Sequence, residues 1–199
     1  MEMKQEYDAL ILAGGRGARL GGKDKGWVMW NGLPLVEHAL AVLAKQLPPP
    51  ARILISANRN VDAYQQTGHV VVTDERPDYS GPMAGIEAGL MRCKKNNLLV
   101  IPCDAPLLPE YLFEKLQQAL TDQPEAVAAY AVTSEAAQPL CCLLKPSVAG
   151  SLGKQLDLGH SETLAWLEAI QAIPVRFEHA ASFTYFNTPE ALQAQQNPS

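Results

Sequence analysis

Ala9-Leu10-Ile11-Leu12-Ala13-Gly14-Gly15-Arg16-Gly17-Ala18-Arg19-Leu20-Gly21-Gly22-Lys23-Asp24-Lys25-Gly26 decides how this chain is read. Its first four residues form an apolar run that predicts a buried strand, and the run passes directly into a glycine-rich segment. Glycine lets backbone N–H groups turn inward without a Cβ penalty, and Arg16, Arg19, Lys23 and Lys25 put four cations within ten positions. Open α/β sheets bind ligands at the carboxyl ends of their strands, so a loop of this kind in this place can cradle a polyphosphate.

Two familiar phosphate loops do not fit. Gly17 to Lys23 matches G-x-x-x-x-G-K, but Asp24 follows where a P-loop has Ser or Thr, and an acid there repels phosphate. The dinucleotide fingerprint G-x-G-x-x-G started at Gly15 meets Leu20 at its third glycine. Both loops also open into a helix, whereas residues 27–34 read as extended chain around an Asn31-Gly32 turn, with Trp27 and Trp30 on one core-facing side.

Downstream, Val36, Ala39, Leu40, Leu43 and Leu47 recur at helical spacing and stop before Pro48-Pro49-Pro50. Residues 52–57, 70–72 and 97–102 read as further strands. Pro82 suits the first turn of a helix whose stripe is Met83, Ile86, Leu90 and Met91, and Pro109 is read as opening another with Leu112, Leu116 and Leu120. Continuous apolar strands alternating with helices predict an α/β fold, a mostly parallel sheet with helices on both faces. Beyond Val127 the pattern loosens to strands at 126–132 and 139–144, a helix through Leu164, Leu167 and Ile170, and short strands at 175–177 and 183–186. Thr188-Pro189-Glu190 has the cap, proline and acid of a helix start. No linker or repeat divides the chain, which predicts one domain over 1–199.

A chain of 199 residues suits a soluble globular protein with a sizeable core. No apolar run approaches the roughly 20 residues needed to span a membrane, and the polar first seven residues predict no signal peptide, which points to the cytoplasm. Cys93, Cys103, Cys141 and Cys142 form no C-x-x-C pair and read as free, mostly buried thiols in a reducing compartment. His38, His69, His160 and His179 are scattered and read as surface or packing residues. A net charge of −5 disfavours a broad nucleic-acid surface and makes the local cation cluster more telling.

Asp104 follows an apolar strand between Pro102 and Pro106, which sets its carboxylate at the same sheet edge as the loop. A carboxylate facing a triphosphate needs a cation between them, and magnesium prefers one or two carboxylates with phosphate oxygens and water. Asp74 also follows a strand and is suited to accept a hydrogen bond from a base or ribose; taken alone such a residue is more often a turn acid or helix cap. Gly81-Pro82-Met83-Ala84-Gly85 offers a helix N-terminus to an anion or base edge, or else a tightly packed loop.

Leu12-Ala13-Gly14-Gly15, Arg19, Gly21-Gly22-Lys23-Asp24-Lys25-Gly26, Asn31-Gly32-Leu33-Pro34-Leu35, Asp74, residues 81–85, Pro102-Cys103-Asp104 and Asn187-Thr188-Pro189-Glu190 occur in this order. Together they resemble the molybdenum cofactor guanylyltransferases over residues 10 to about 192. The first motif is shared with nucleotidyltransferases that activate sugars and alditols, and Asp-Lys-Gly narrows it. The resemblance implies a Rossmann-like three-layer nucleotidyltransferase fold. It implies transfer of GMP from MgGTP to the terminal phosphate of molybdenum-molybdopterin, giving molybdopterin guanine dinucleotide and pyrophosphate.

By the same resemblance Leu12, Ala13, Gly14 and Gly15 hold the nucleotide through backbone groups, Arg19 and Lys25 neutralise phosphates, and Asp74 contacts the nucleoside. Asp104 binds Mg2+, and Ser56 and Gly81 join the nucleotide side. Residues 8–105 form the nucleotide half and 106–192 the molybdopterin half, where Gln138 and Asn187 lie. GTP and molybdopterin are the implied substrates, with molybdopterin-delivering and molybdoenzyme chaperone proteins as partners and neither nucleic acid nor membrane. Three positions depart from the family: Ser56 stands for Asn, Gln138 for His, and Tyr185 for the first of two asparagines. Two alternatives remain at this stage, a relative using CTP or acting on a sugar phosphate, and a non-catalytic GTP-binding carrier. The expected role of Asp24 is to orient the loop.

Overall fold

A computed structural model of the chain describes residues 6–14, 24–74, 76 and 81–187. The expected helix start at Thr188-Pro189-Glu190 lies outside the described residues.

β1 (Asp8–Leu12) is buried along its whole length, as a strand covered on both faces must be. Its one charged residue, Asp8, accepts from Arg52 Nη2 and from the Lys94 N–H, both at 2.7 Å. A 3-10 turn (Lys25–Trp27) leads to a hairpin of β2 (Met29–Trp30) and β3 (Leu33–Pro34) around Asn31 and Gly32. Both turn residues have positive φ, 46° and 82°, as this tight turn requires. α1 (Leu35–Ala44), β4 (Arg52–Ser56), the short α2 (Val61–Gln65), β5 (Val70–Val72), α3 (Pro82–Arg92) and β6 (Leu98–Pro102) follow. The remaining elements are α4 (Leu112–Asp122), β7 (Ala128–Val132), β8 (Ala137–Leu144), α5 (Ala149–Asp157), α6 (Thr163–Ala169) and β9 (Ile173–Arg176).

The main sheet runs β5-β4-β1-β6-β8-β7-β9, and β8 alone opposes its neighbours. Alternation along the strands divides the core into two layers. Ala9, Ile11, Ile55 and Ile101 face α1 and α4, while Leu10, Leu12, Leu54 and Val100 face α3, α5 and α6. The expected α/β class, with helices on both faces of a mostly parallel sheet, is what the chain adopts. α3 sits close on β1 because Gly89 has no side chain; a Cβ there would run into buried Leu10. That seat brings Gly81 and Pro82 to the edge where β1 ends. No helix among the described residues is long and apolar enough to cross a membrane.

Several expectations are corrected. Pro109 does not open α4; its carbonyl accepts from Leu112 N at 3.1 Å, one turn ahead of the helix. Buried Gln46 anchors that start, donating to Pro109 O at 3.0 Å and accepting from Phe113 N at 2.9 Å. Residues 183–186 are not a strand, since a 3-10 turn (Ala180–Phe183) gives way to chain that joins no sheet ladder. Trp27 and Trp30 do not share a face: Trp27 packs on Tyr64 in the α1/α4 layer, and Trp30 joins His38 and Phe186 in a small separate cluster. α2 and α5 were not expected at all.

Cys103, Cys141 and Cys142 are free and buried, and Cys93 is half-buried. Burial pushes all three core thiols well above their ordinary value of 9.0, and it lifts the Tyr7 phenol in the same way. The unfolded chain therefore releases protons above about pH 9 that the native chain keeps, so stability is level below that pH and falls as pH rises. The three thiols act in the same direction, so the loss is cumulative. Urea unfolding should show a lower midpoint at about pH 10 than at about pH 8, and an unchanged midpoint would contradict the burial of these groups.

Candidate functional site

Leu12 pairs with Ser56 on one side and Pro102 on the other, and Ser56 pairs with Val72, so four parallel strands end in line. The ladder extends one step beyond them through Ala13 N to Ser56 O at 2.9 Å, Ala57 N to Val72 O at 3.0 Å and Cys103 N to Leu12 O at 3.1 Å. The segments that leave this rim enclose a cavity of about 480 Å³. Leu12, Gly14, Lys25, Ser56, Asn58 and Asp74 form one part of its wall, Gly81, Pro82, Gly85, Pro102 and Asp104 another, and Leu140, Tyr185 and Asn187 the rest. A cavity of this size at this edge suits a nucleotide-sized ligand.

Asp104 is 1% exposed, a costly place for a carboxylate without a cation. Lys25 supplies one: its Nζ forms an ion pair with Asp104 Oδ2. The pair lacks hydrogen-bond alignment, and among the described residues no hydrogen bond satisfies that oxygen. The backbone of Asp104 is fixed from the far end of the chain, where Phe186 N donates to its carbonyl at 2.7 Å.

Asp24, the residue that disqualified a P-loop, does not line the cavity. Its Oδ1 accepts from Tyr64 OH at 2.6 Å and from Gly26 N at 3.3 Å, and its Oδ2 accepts from Asn60 Nδ2 at 2.9 Å. These bonds hold the 3-10 turn that carries Lys25. Gly26 lies so close to the Tyr64 ring that any Cβ would overlap the phenol. Asp24, Lys25 and Gly26 therefore act as one unit: an anchor, a cation directed at Asp104 and a residue small enough for contact. Burial and then the Asp24 carboxylate push the Tyr64 phenol far up, so it remains a donor.

Asp74 is gripped by Asn58, whose Nδ2 donates to Oδ2 while Asp74 N donates to Asn58 Oδ1 at 3.0 Å. On the opposite wall Tyr185 lies against the thiol of Cys141. Burial raises this phenol above its ordinary value, and the nearby Asp104 carboxylate adds to the shift.

Of the residues singled out from sequence, Leu12, Gly14, Lys25, Ser56, Asp74, Gly81, Asp104 and Asn187 meet on this cavity. Ala13 is buried behind it, with its N–H engaged by Ser56. Gln138 is not on the wall; it pairs with Ala131 beyond a register shift in β8, and Leu140 reaches the cavity from that irregular stretch. Gly15, Arg16, Arg19 and Lys23 lie outside the described residues. Sequence reasoning missed Asn58, Asn60 and Tyr64. The polar run Asn58-Arg59-Asn60 straight after an apolar strand was the available signal, since it marks another strand end at the binding edge.

Residues 9–172 match the MobA-like NTP transferase domain. The molybdenum cofactor guanylyltransferase of Bordetella petrii is 40% identical over 96% of this chain and 97% of that protein. The molybdenum cofactor guanylyltransferase of Polynucleobacter asymbioticus is 42% identical over 95% of each chain. Among solved structures, molybdopterin-guanine dinucleotide biosynthesis protein A from Archaeoglobus fulgidus superposes with a TM-score of 0.71 at 23% identity, over 94% of this chain and 95% of that one, a likeness of fold.

Proposed function

The chain belongs to the molybdenum cofactor guanylyltransferases and carries their NTP transferase domain, and we propose that its cavity transfers GMP from GTP to the terminal phosphate of molybdopterin. The observation that carries this reading is the Lys25–Asp104 pair, a cation and a buried carboxylate side by side where four parallel strands end. Two anions must meet in such a reaction, so alignment and charge neutralisation are the main tasks, and no covalent nucleophile is required.

An oxygen of the molybdopterin phosphate attacks the α-phosphorus of GTP. The bond from that phosphorus to the bridging oxygen of the β-phosphate breaks in line, and pyrophosphate departs with the electron pair. Lys25, whose ammonium already stands at the rim, stabilises the charge growing on pyrophosphate, and we assign Arg19 the same task from the loop. Gly14 and Gly15 are assigned to the phosphates, and Ser56, Asp74 and Gly81 to the nucleoside. Asn187 and Gln138 are assigned to the molybdopterin side. In this scheme residues 8–105 serve the nucleotide and 106–192 the acceptor.

The donor set fits magnesium. Asp104 offers one buried carboxylate whose Oδ2 faces only an ion pair, and no group of three or more metal-ligating side chains occurs among the described residues. One carboxylate completed by phosphate oxygens and water is the set that this ion favours. Bound there with the nucleotide, magnesium supplies a Lewis acid that draws charge from the phosphate oxygens.

Lys25→Ala and Asp104→Ala should each lower GMP transfer by about 10²–10³-fold, the scale of losing one preorganised charge partner, while the protein stays folded by circular dichroism. Wild-type turnover in either variant would overturn the assignment. Pyrophosphate release should require molybdopterin and should be much faster with GTP than with CTP. A preference for CTP would move the chain to a cytidylyl-transferring relative, and tight GTP binding with no product would make it a carrier.

A further inference from the structure

One short piece of chain links a residue of the cavity wall, Asp74, to the turn that carries another, Lys25. Beyond β4, Ala57 still donates to Val72 O, and the chain then bends through Asn58, Arg59 and Asn60. Asn58 holds Asp74 by both ends of its amide. Asn60, two positions on, holds Asp24 Oδ2, and its carbonyl accepts from Ala63 N at 2.9 Å and Tyr64 N at 3.2 Å to start α2. From α2, Tyr64 reaches back to Asp24 Oδ1. Asn60 has φ 49° and ψ 34°, a left-handed conformation that asparagine tolerates better than most residues, so its backbone and its amide both suit this bend.

We propose that residues 58–64 form a strut that fixes Asp74 relative to Lys25, with Asn58, Asn60 and Tyr64 as positioning residues. The proposal rests on the reading of the cavity as a nucleotide site, in which Asp74 and Lys25 serve opposite ends of one ligand. The two amide grips are separated by a single residue, so few soft torsions lie between them, and a displacement at Asp74 passes to Asp24 and on to the turn that carries Lys25. α2 has five residues, far below the dozen or so at which an isolated helix becomes marginal, so it depends on these bonds and on buried Tyr64. The strut makes correct seating of the nucleoside a condition for correct placement of the phosphate-side cation.

Amide hydrogen exchange in the nucleotide-free, full-length protein tests the connection. Asn58→Ala removes only the grip on Asp74, yet a strut requires exchange of the Gly26 and Trp27 amides across the bend to accelerate by about tenfold or more, the scale of one lost hydrogen bond to a charged group. The reciprocal variant, Asn60→Ala, should accelerate exchange of the Asp74 amide. Rates unchanged in both would overturn the proposal. In the transfer reaction, Tyr64→Phe should lower kcat by about tenfold while the KM for GTP moves by less than about threefold, because what is lost is the aim of Lys25 and not nucleotide affinity. A raised KM with kcat preserved would also overturn it. If the wild-type protein transferred no GMP, the reading of the cavity would fail, and the exchange measurements would still decide the strut.

Discussion

Asp104 is a carboxylate with almost no contact with water, and the arrangement of this sheet edge follows from the need to put a cation beside it. Lys25 reaches Asp104 from a different strand end, so both partners need independent support. Asp24, Tyr64 and Asn60 brace the lysine side. On the other side Phe186 donates to the Asp104 carbonyl and packs edge-on against Trp30, ring centroids 4.8 Å apart. Trp30 belongs to the hairpin that the Lys25 turn leads into, so the bracing closes on itself from Lys25 through Trp30, Phe186 and Asp104 back to Lys25. Charge held this way reorganises little when new charge develops nearby, which is the condition for electrostatic catalysis.

The fold was legible where burial leaves a one-dimensional trace. β1, β4 and β6 carry continuous apolar runs, Ala9–Leu12, Ile53–Ile55 and Leu98–Pro102, because both faces are covered, and α1 and α3 show a stripe because only one face is. The rule that ligands gather at carboxyl strand ends then brought Lys25, Ser56, Asp74 and Asp104 together from segments far apart in sequence. What stayed hidden was set by contacts without periodicity. α2 is too short to carry a stripe. α5 contains Gly150 and Gly153, which read as breakers, yet only Leu152 and Leu156 need to be buried for it to pack. Pro109 has the look of a first helical residue, but a buried glutamine from α1's far end moves the helix start one turn on.

The same limit applied within the site. Asp24, Lys25 and Gly26 were visible as a motif, but the reason for the glycine is a tyrosine almost forty positions away, and nothing in either segment announces the other. The resemblance assigns Gln138, which stands where the family has His, to the acceptor side. A register shift in β8 brings Leu140 to the cavity wall and leaves Gln138 paired with Ala131. A proline inside a strand signals such an irregularity, though not which neighbour will profit from it.

Three carboxylates surround or adjoin a cavity proposed to take a polyanion, in a chain whose net charge is already −5. Their partners differ in kind. Asp24 is satisfied by a phenol, an amide and a backbone N–H, and Asp74 by the amide of Asn58, whose oxygen in turn accepts from the Asp74 N–H. Neutral donors of this sort orient a carboxylate without cancelling its charge, so both side chains are held in place, and Asp74 is presented to the cavity with its charge intact. Asp104 alone is matched by a cation, the Lys25 ammonium, whose side chain is 28% exposed at the cavity. On the proposed reading, Asp104 would hold a divalent ion that draws charge from the phosphates, with the Lys25 ammonium beside it as the second cation at the rim. The contrast between two carboxylates fixed by amides and one matched by a lysine separates, in this site, the groups that shape the cavity from the pair that can act in it.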